Sequence, residues 1–444
     1  MNITSELVSP GGFGADSDLN VKTIPKIQRR LLPFIFICYN IALLDRVNIG
    51  FAGLTMNKEL AISAQQFGLL AGIFYIGYVL FEIPSNMLMH KLGARIWIAR
   101  VLISWGLVAA CTGFARSATH IYIIRFVLGL AEAGFYPGMI LYCTYWFRQR
   151  ERAQAVAFFM LAQPFSALIG APISGLILDH IHWFGISSWR WLLVLEAAPA
   201  IILGVITLFV LPSRPKDAQF LSSNEKDWLE GELKREEQET LADKGHDSAL
   251  AAIKSGKVWF LGFIYFVFLI GVNWMNFFLP QVVKALSKFY SNSTVGFLIM
   301  IPMALGMVAM VVISRHSDRT GERRLHTGLP AVIGGIALLI IFAFKVSNPV
   351  WSIILLCFMT IGIDNFFGPF WAVSSSSLTG YAAAAGIAFI SSLGNIGGFV
   401  GPALVGYVQN RTHTIYAGAA IAGLSLLGAG LLVIFFTSRP RASD

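Results

Sequence analysis

Four ionisable residues stand inside stretches that are otherwise apolar: Asp45 and Arg46 in the first, Arg125 and Glu132 in the fourth. An ionisable side chain facing hydrocarbon costs roughly 2.5–3.5 kcal/mol on insertion scales, so such residues belong in a protein-lined or water-filled interior. An arginine keeps its charge, and its planar fork matches a carboxylate at two points, which suits it to holding an anion. Arg125 is the first choice for that anchor and Arg46 the second. A carboxyl group, by contrast, exchanges a proton, which makes Asp45 and Glu132 the candidates for proton carriage. Seven residues are nearly two helical turns, so Arg125 and Glu132 share a face, with Glu132 about 10 Å deeper. Counting rise from the helix ends places Asp45 and Arg125 at similar depth on facing helices. Without substrate an ionised acid would neutralise Arg125 or Arg46, and protonating that acid would free the arginine for an incoming anion. A purely structural ion pair between the first and fourth stretches is the competing explanation.

The elements that must position these residues are membrane helices. The chain has 444 residues, 56% of them hydrophobic and 13% charged, with mean hydropathy +0.68. That is more apolar surface than a soluble protein of this length can cover. Twelve stretches near 31–53, 66–89, 96–115, 120–145, 154–178, 189–211, 258–280, 294–314, 327–345, 350–373, 382–408 and 415–437 have the length that crosses a core of about 30 Å. The expected class is an all-α membrane protein of twelve spans in two six-helix bundles. With an inner N-terminus, inner segments hold 23 Lys and Arg residues and outer loops hold 7, so the positive-inside rule puts both termini in the cytoplasm. The formal charge of +9 is then a topogenic signal and leaves no basic stripe for nucleic acid. Cys38, Cys111, Cys143 and Cys357 fall inside spans and suggest neither a disulfide framework nor a metal site. No signal peptide is expected; the predicted location is the inner membrane, multi-pass, and the expected partners are the lipid bilayer, a small organic anion and a proton, with the protein a monomer.

The stretch 212–257 breaks the apolar pattern with eight basic and ten acidic residues. It divides the chain into a cytoplasmic tail (1–30), an N-terminal bundle (31–211), a cytoplasmic linker (212–257), a C-terminal bundle (258–437) and a short tail (438–444). Within the linker, Asn224 to Leu241 reads either as an amphipathic surface helix or as a solvated connector. Each half carries a basic turn after its second helix, with Gly93 beside Arg95 in one and Gly321 among Asp318, Arg319 and Arg323 in the other. Gly93 and Gly321 are 228 residues apart, and Pro172 and Pro402 are 230 apart, which argues for a duplicated six-helix unit. Duplicated bundles suit alternating access around a midplane site, with the basic turns pairing across the halves when the inner side is shut.

The turn of the second half, with Ser314 leading, resembles the G-x-x-x-D-R-x-G-R-R signature of the major facilitator superfamily. The first copy departs at Asn86, His90 and Ala94. Within that superfamily the chain resembles the anion:cation symporter family, in its bacterial tartrate and phthalate branch. The resemblance is carried by Asp45 to Gly50, Phe81 to Asn86, Gly93 to Arg95, Arg125 to Gly138, Trp189 to Trp191, Phe370 to Ala372 and Ser392 to Gly398. It implies proton-driven symport of an organic anion, with Asp45 and Glu132 carrying protons and Arg46 and Arg125 holding the carboxylate. It also implies that Tyr78, Gln163, Trp371 and Asn395 line the cavity, and that Arg95, Asp318, Arg319, Gly321 and Arg323 form gating turns. Sugar-acid members resemble this pattern with a Tyr where this chain has Leu43.

Among the other buried acids, Glu82 is expected to pair with a basic loop residue. Glu196 and Asp364 are open between ionisation in the cavity and capping by neighbours. Aromatic residues on the second, seventh and tenth stretches, such as Tyr75, Phe367 and Trp371, can stack on an aromatic acid, which admits phthalate-like or hydroxyphenyl acids beside tartrate. No P-loop, H-E-x-x-H or dinucleotide fingerprint is present, so neither an enzyme nor a cofactor is expected. A proton-coupled efflux antiporter is the alternative function. A transporter-like sensor would need a longer soluble extension than these tails supply.

Overall fold

The computed structural model describes residues 12–242, 254–376 and 380–436. The first eleven residues of the expected N-terminal tail, and the C-terminal tail from 438, lie outside the described residues. The first half contains α1 (Gly12–Glu59), α2 (Ala64–Leu92), α3 (Ala94–Thr112), α4 (Ala118–Glu132), α5 (Phe135–Thr144), α6 (Gln149–Met160), α7 (Ala162–His180) and α8 (Ser188–Val210). The linker helix α9 (Ser223–Ala242) follows. The second half contains α10 (Gly256–Ala285), α11 (Asn292–Thr320), α12 (Arg324–Phe344), α13 (Pro349–Ser376), α14 (Gly380–Thr412) and α15 (Tyr416–Phe436). Taking α4 with α5 and α6 with α7 as single crossings, 12 helices among the described residues are long and apolar enough to span a membrane. Helix is the form a single crossing takes there, because in hydrocarbon each backbone group must find its partner inside the segment.

Local chemistry sets the ends. Ser63 caps α2: its hydroxyl accepts from the Gln66 amide at 3.2 Å while the Gln66 side chain accepts from the Ser63 amide at 3.0 Å. The turns after α2 and α11 both use glycine with positive φ, Gly93 at 85° and Gly321 at 68°. The duplicated landmarks share a positive φ but not a conformation: ψ is 150° at Gly93 and -2° at Gly321.

Three features differ from the sequence expectation. Residues 12–30, expected as a tail, extend α1, which also runs through Pro25 and Pro33. The fourth crossing is interrupted: Ala133 leaves the helical region at ψ 133° and Gly134 takes φ 83° before α5 begins. An added Cβ on Gly134 would lie 2.2 Å from the Ser85 hydroxyl oxygen, so close approach as well as backbone conformation demands glycine here. The fifth crossing is irregular at Leu161, between α6 and α7, where φ and ψ stay helical. In the linker, the helical reading is the observed one, and α9 is fixed to the first half. Glu225 accepts from Lys26 at 2.5 Å, and Arg148 donates to Glu232 at 2.9 Å, to Glu151 at 2.6 Å and to Asn20 at 2.7 Å.

The halves meet along α2 with α14, α7 with α11, and α1 with α10. Close packing lies toward the end of the bundle remote from the linker. A Cβ on Gly68 would meet the Pro402 carbonyl oxygen at 2.2 Å, and one on Gly296 would meet the Ala171 carbonyl oxygen at 2.3 Å and Pro172 Cα at 2.9 Å. Gly68 and Gly296 are again 228 residues apart, so the duplicated glycines face the duplicated prolines across a pseudo-twofold axis. Asp179, at the end of α7, adds a polar clasp by accepting hydrogen bonds from Asn292 and Ser293 at the start of α11.

Arg95 and Arg323 find their partners within their own halves in this structure. Arg95 donates to the Leu211 carbonyl at 2.9 Å and its amide donates to the Ser213 hydroxyl at 3.2 Å, both within the first half. Arg323 pairs with Asp318 at 3.4 Å within the second. The close contacts between the halves lie at the other end of the bundle.

Candidate functional site

A cavity of about 150 Å³ lies between the halves, close to the irregularities in the fourth and fifth crossings. Each contributing helix offers one face. Helix α1 presents Tyr39, Leu43, Arg46 and Val47; α2 presents Tyr75, Tyr78 and Glu82; α10 presents Tyr265, Leu269, Asn273 and Asn276; α13 presents Asp364, Phe367 and Trp371. These are the i, i+3, i+4 and i+7 spacings of a helix surface. Tyr136, just after the break in the fourth crossing, and Gln163, just after the irregularity in the fifth, complete the linker-side wall, and Ser391 and Asn395 come from α14.

Arg46 is the cation of this cavity, the only Lys or Arg among its described lining residues. Its Nε donates to Glu132 Oε1 at 3.1 Å and its Nη2 donates to the same oxygen. Glu132 is the last residue of α4, so the break at Ala133–Gly134 fixes the direction in which its carboxylate points. The guanidinium lies 5.4 Å from the ring centroids of both Phe74 and Tyr78, within the range of cation–π attraction. The Arg46 side chain keeps 20% of its surface exposed while Glu132 keeps 1%. The arginine therefore faces the void, and the acid supports it from behind.

Asp45 and Arg125 take other positions. Successive residues on a helix point about 100° apart, so with Arg46 toward the cavity Asp45 turns toward α3. There it accepts from Trp105 Nε1, and from Asn48 Nδ2 at 2.8 Å. Arg125 is 2% exposed, sits 5.2 Å from the Phe74 centroid, and makes one hydrogen bond to protein, from Nε to the Leu70 carbonyl at 3.4 Å. Its Nη2 is buried without a partner. Neither residue lines the cavity, and they form no ion pair with each other, so similar depth along the helices did not translate into contact. Tyr78, Gln163, Trp371 and Asn395, by contrast, all line it together with Arg46.

Glu82 corrects the sequence expectation. It has no basic partner; it lines the cavity, and its Oε2 is buried without a hydrogen bond. Its place one face-turn beyond Tyr75 and Tyr78 is the signal that would have found it. Glu196 is capped by the Ser174 hydroxyl at 2.6 Å, away from the lining, whereas Asp364 lies on it. Tyr75 spans the halves, donating to Asn273 Oδ1 at 2.6 Å. Of the aromatic residues on α2, α10 and α13, Tyr75, Tyr78, Phe367 and Trp371 reach the void, while Trp274, Phe277, Phe278, Phe366 and Phe370 are buried in packing. A larger void of about 700 Å³ at the linker end is bordered by His90, Tyr145, Arg214, Lys216 and Lys234 and by none of Asp45, Arg46, Arg125 and Glu132.

Two six-crossing bundles around a shared, charged cavity in the membrane interior define a transporter and not an enzyme. The chain belongs to the Major Facilitator Superfamily, whose sequence profile matches residues 35–402. It is 43% identical over 431 residues to an Agrobacterium vitis protein provisionally named a tartrate transporter, covering 96% of this chain and 94% of that one. It is 34% identical to an Acinetobacter baumannii protein named a quinolone resistance transporter, covering 94% and 95%. The inward-open xylose transporter XylE of Escherichia coli shares the fold with a TM-score of 0.73 at 12% identity, covering 93% and 97%. Twelve apolar crossings and bacterial relatives make this a multi-pass inner-membrane protein.

Proposed function

We propose that the protein takes up small organic carboxylates by proton symport, with the linker and both termini on the cytoplasmic side. The observation that carries this reading is the Arg46–Glu132 pair. A guanidinium facing the void is a carboxylate receptor, and its present partner is an acid that a proton can neutralise. Protonating Glu132 would release Arg46 to the substrate, so anion and proton load together. Asp45 serves as a second proton carrier behind Arg46, and Arg125, with Nη2 unpartnered, becomes an anion ligand when the halves move.

The balance of charge supports coupling. Around the cavity the guanidinium groups of Arg46 and Arg125 are set against the carboxyls of Asp45, Glu82, Glu132 and Asp364. With all of them ionised the region carries excess negative charge and disfavours an anion, and proton uptake removes that obstacle. The polar lining of this modest void suits a compact acid. The name of the Agrobacterium vitis relative points to tartrate as the first substrate to try.

The test is uptake of radiolabelled tartrate into proteoliposomes with an acidic exterior. Accumulation that collapses on adding a protonophore supports the reading. The name of the Acinetobacter baumannii relative favours efflux antiport as the second reading. Substrate driven out of vesicles by protons moving in would establish that reading instead.

A further inference from the structure

The second half places one carboxyl group on the cavity wall, which the transport scheme above uses only in the balance of charge. Asp364, on α13, is 6% exposed and lines the void. Its Oδ2 is buried with no hydrogen-bond partner. That oxygen packs against α11 at Gly306, where an added Cβ would lie 2.3 Å away. The nearby Thr360 hydroxyl does not serve it, donating instead to the Pro302 carbonyl at 2.8 Å. Packed there, Oδ2 is turned away from the void; the other carboxylate oxygen, to which the protein also supplies no hydrogen bond, is left on the void side, where a ligand donor would satisfy a group that is costly to leave unpaired.

The rest of this wall narrows what that ligand carries. Tyr265, Asn273, Asn276, Ser391 and Asn395 are neutral, and no Lys or Arg stands beside Asp364 among the described lining residues. A second carboxylate presented here would meet an acid with no cation to offset it. A hydroxyl group would donate to it.

We propose that Asp364 is the specificity-determining acceptor for a hydroxyl group of the substrate, so that the transported acids are hydroxycarboxylates held by carboxylate at Arg46 and by hydroxyl at Asp364. This rests on the carboxylate reading of Arg46 and adds the other end of the ligand. Gly306 has a positioning role, keeping the space that Asp364 occupies.

The test compares binding to the purified full-length protein within two matched pairs, tartrate with succinate and 4-hydroxybenzoate with benzoate. The wild type is expected to prefer the hydroxylated member at least tenfold, the scale of a hydrogen bond to a charged group. Asp364→Ala should bring that ratio close to one while the affinity for succinate or benzoate stays within about threefold. Asp364→Asn keeps an acceptor oxygen and should retain part of the preference. Gly306→Ala moves the carboxyl without removing it and should lower the ratio too, so the proposal stays testable if Asp364→Ala does not fold. An unchanged ratio in these variants, or a wild type that binds both members of each pair equally, overturns the assignment and leaves the carboxylate reading standing. A wild type that binds none of the four acids removes the carboxylate reading, and this one with it.

Discussion

Asp179 in the first half holds Ser293 in the second by two hydrogen bonds, accepting from its amide and from its hydroxyl, each at 2.6 Å. The other carboxylate oxygen accepts from the Asn292 amide at 3.1 Å and its side chain at 2.8 Å. Amides at the start of a helix have no partner within it, and the helix dipole favours an anion there. One side chain thus satisfies the first two amides of α11 from across the interface between the bundles.

Breaking this clasp should favour the state open at the end remote from the linker. In a cysteine-free background with one cysteine at Val47, Asp179→Ala is expected to raise labelling from that side about tenfold. That corresponds to losing roughly 1.4 kcal/mol of closure, near the value of one hydrogen bond to a charged group. Equal labelling in the two proteins would show that packing alone closes this end.

The glycines facing the prolines give a second handle. Gly68→Val and Gly296→Val each place side-chain atoms where a backbone carbonyl now lies, 2.2 Å and 2.3 Å from the added Cβ. Both should open the same end, by similar amounts, because duplication makes the contacts equivalent. Spin-label distances across α2 and α14, and across α7 and α11, should lengthen in both variants.

Glu132→Gln removes the titration and keeps the shape. It should abolish gradient-driven accumulation while leaving exchange of internal for external anion. Arg46→Lys should raise the KM for the acid at least tenfold, since a single ammonium cannot reproduce the two-point fork. Accumulation at the wild-type level in Glu132→Gln would remove this acid from the coupling scheme.

The linker clasp should respond to acid. Burial pushes the Glu225 carboxyl up, but the Lys26 ammonium and the Ser222 amide and hydroxyl outweigh it and hold it below the usual 4.5. A carboxyl lowered on folding stabilises the clasp above its unfolded value, and that contribution fades as pH falls through the depressed one. Deuterium uptake over residues 223–236, corrected for intrinsic exchange, should therefore rise below about pH 4.5 in the wild type. Glu225→Gln should remove that step. Lys26 is half exposed, so Lys26→Ala should cost under about 1 kcal/mol.

The twelve spans were legible because hydropathy reports burial in a bilayer directly, whereas the linker helix stood open against a solvated connector. The duplication was legible from Gly93, Gly321, Pro172 and Pro402, and the structure adds Gly68 and Gly296 at the same offset. What sequence reasoning missed depends on direction about a helix axis. Asp45 and Arg46 are neighbours in the chain and point to different helices. Glu82 was judged by its nearness to the helix end, although its spacing from Tyr75 and Tyr78 marks the cavity face. The interruption after Glu132 was readable from Gly134 followed by Pro137, a glycine stop with proline in the next first turn. The contacts of Asp179 were not readable, because nothing local in either bundle names its partner in the other.

The mirrored arrangement of Gly68 with Pro402 and Gly296 with Pro172 implies that recognition between the bundles is written into each of them, independently of the peptide that tethers them. Two separate polypeptides, divided within residues 243–253, would carry one glycine and one proline of the set apiece. Co-expressed, they should find each other in the bilayer and rebuild a working carrier.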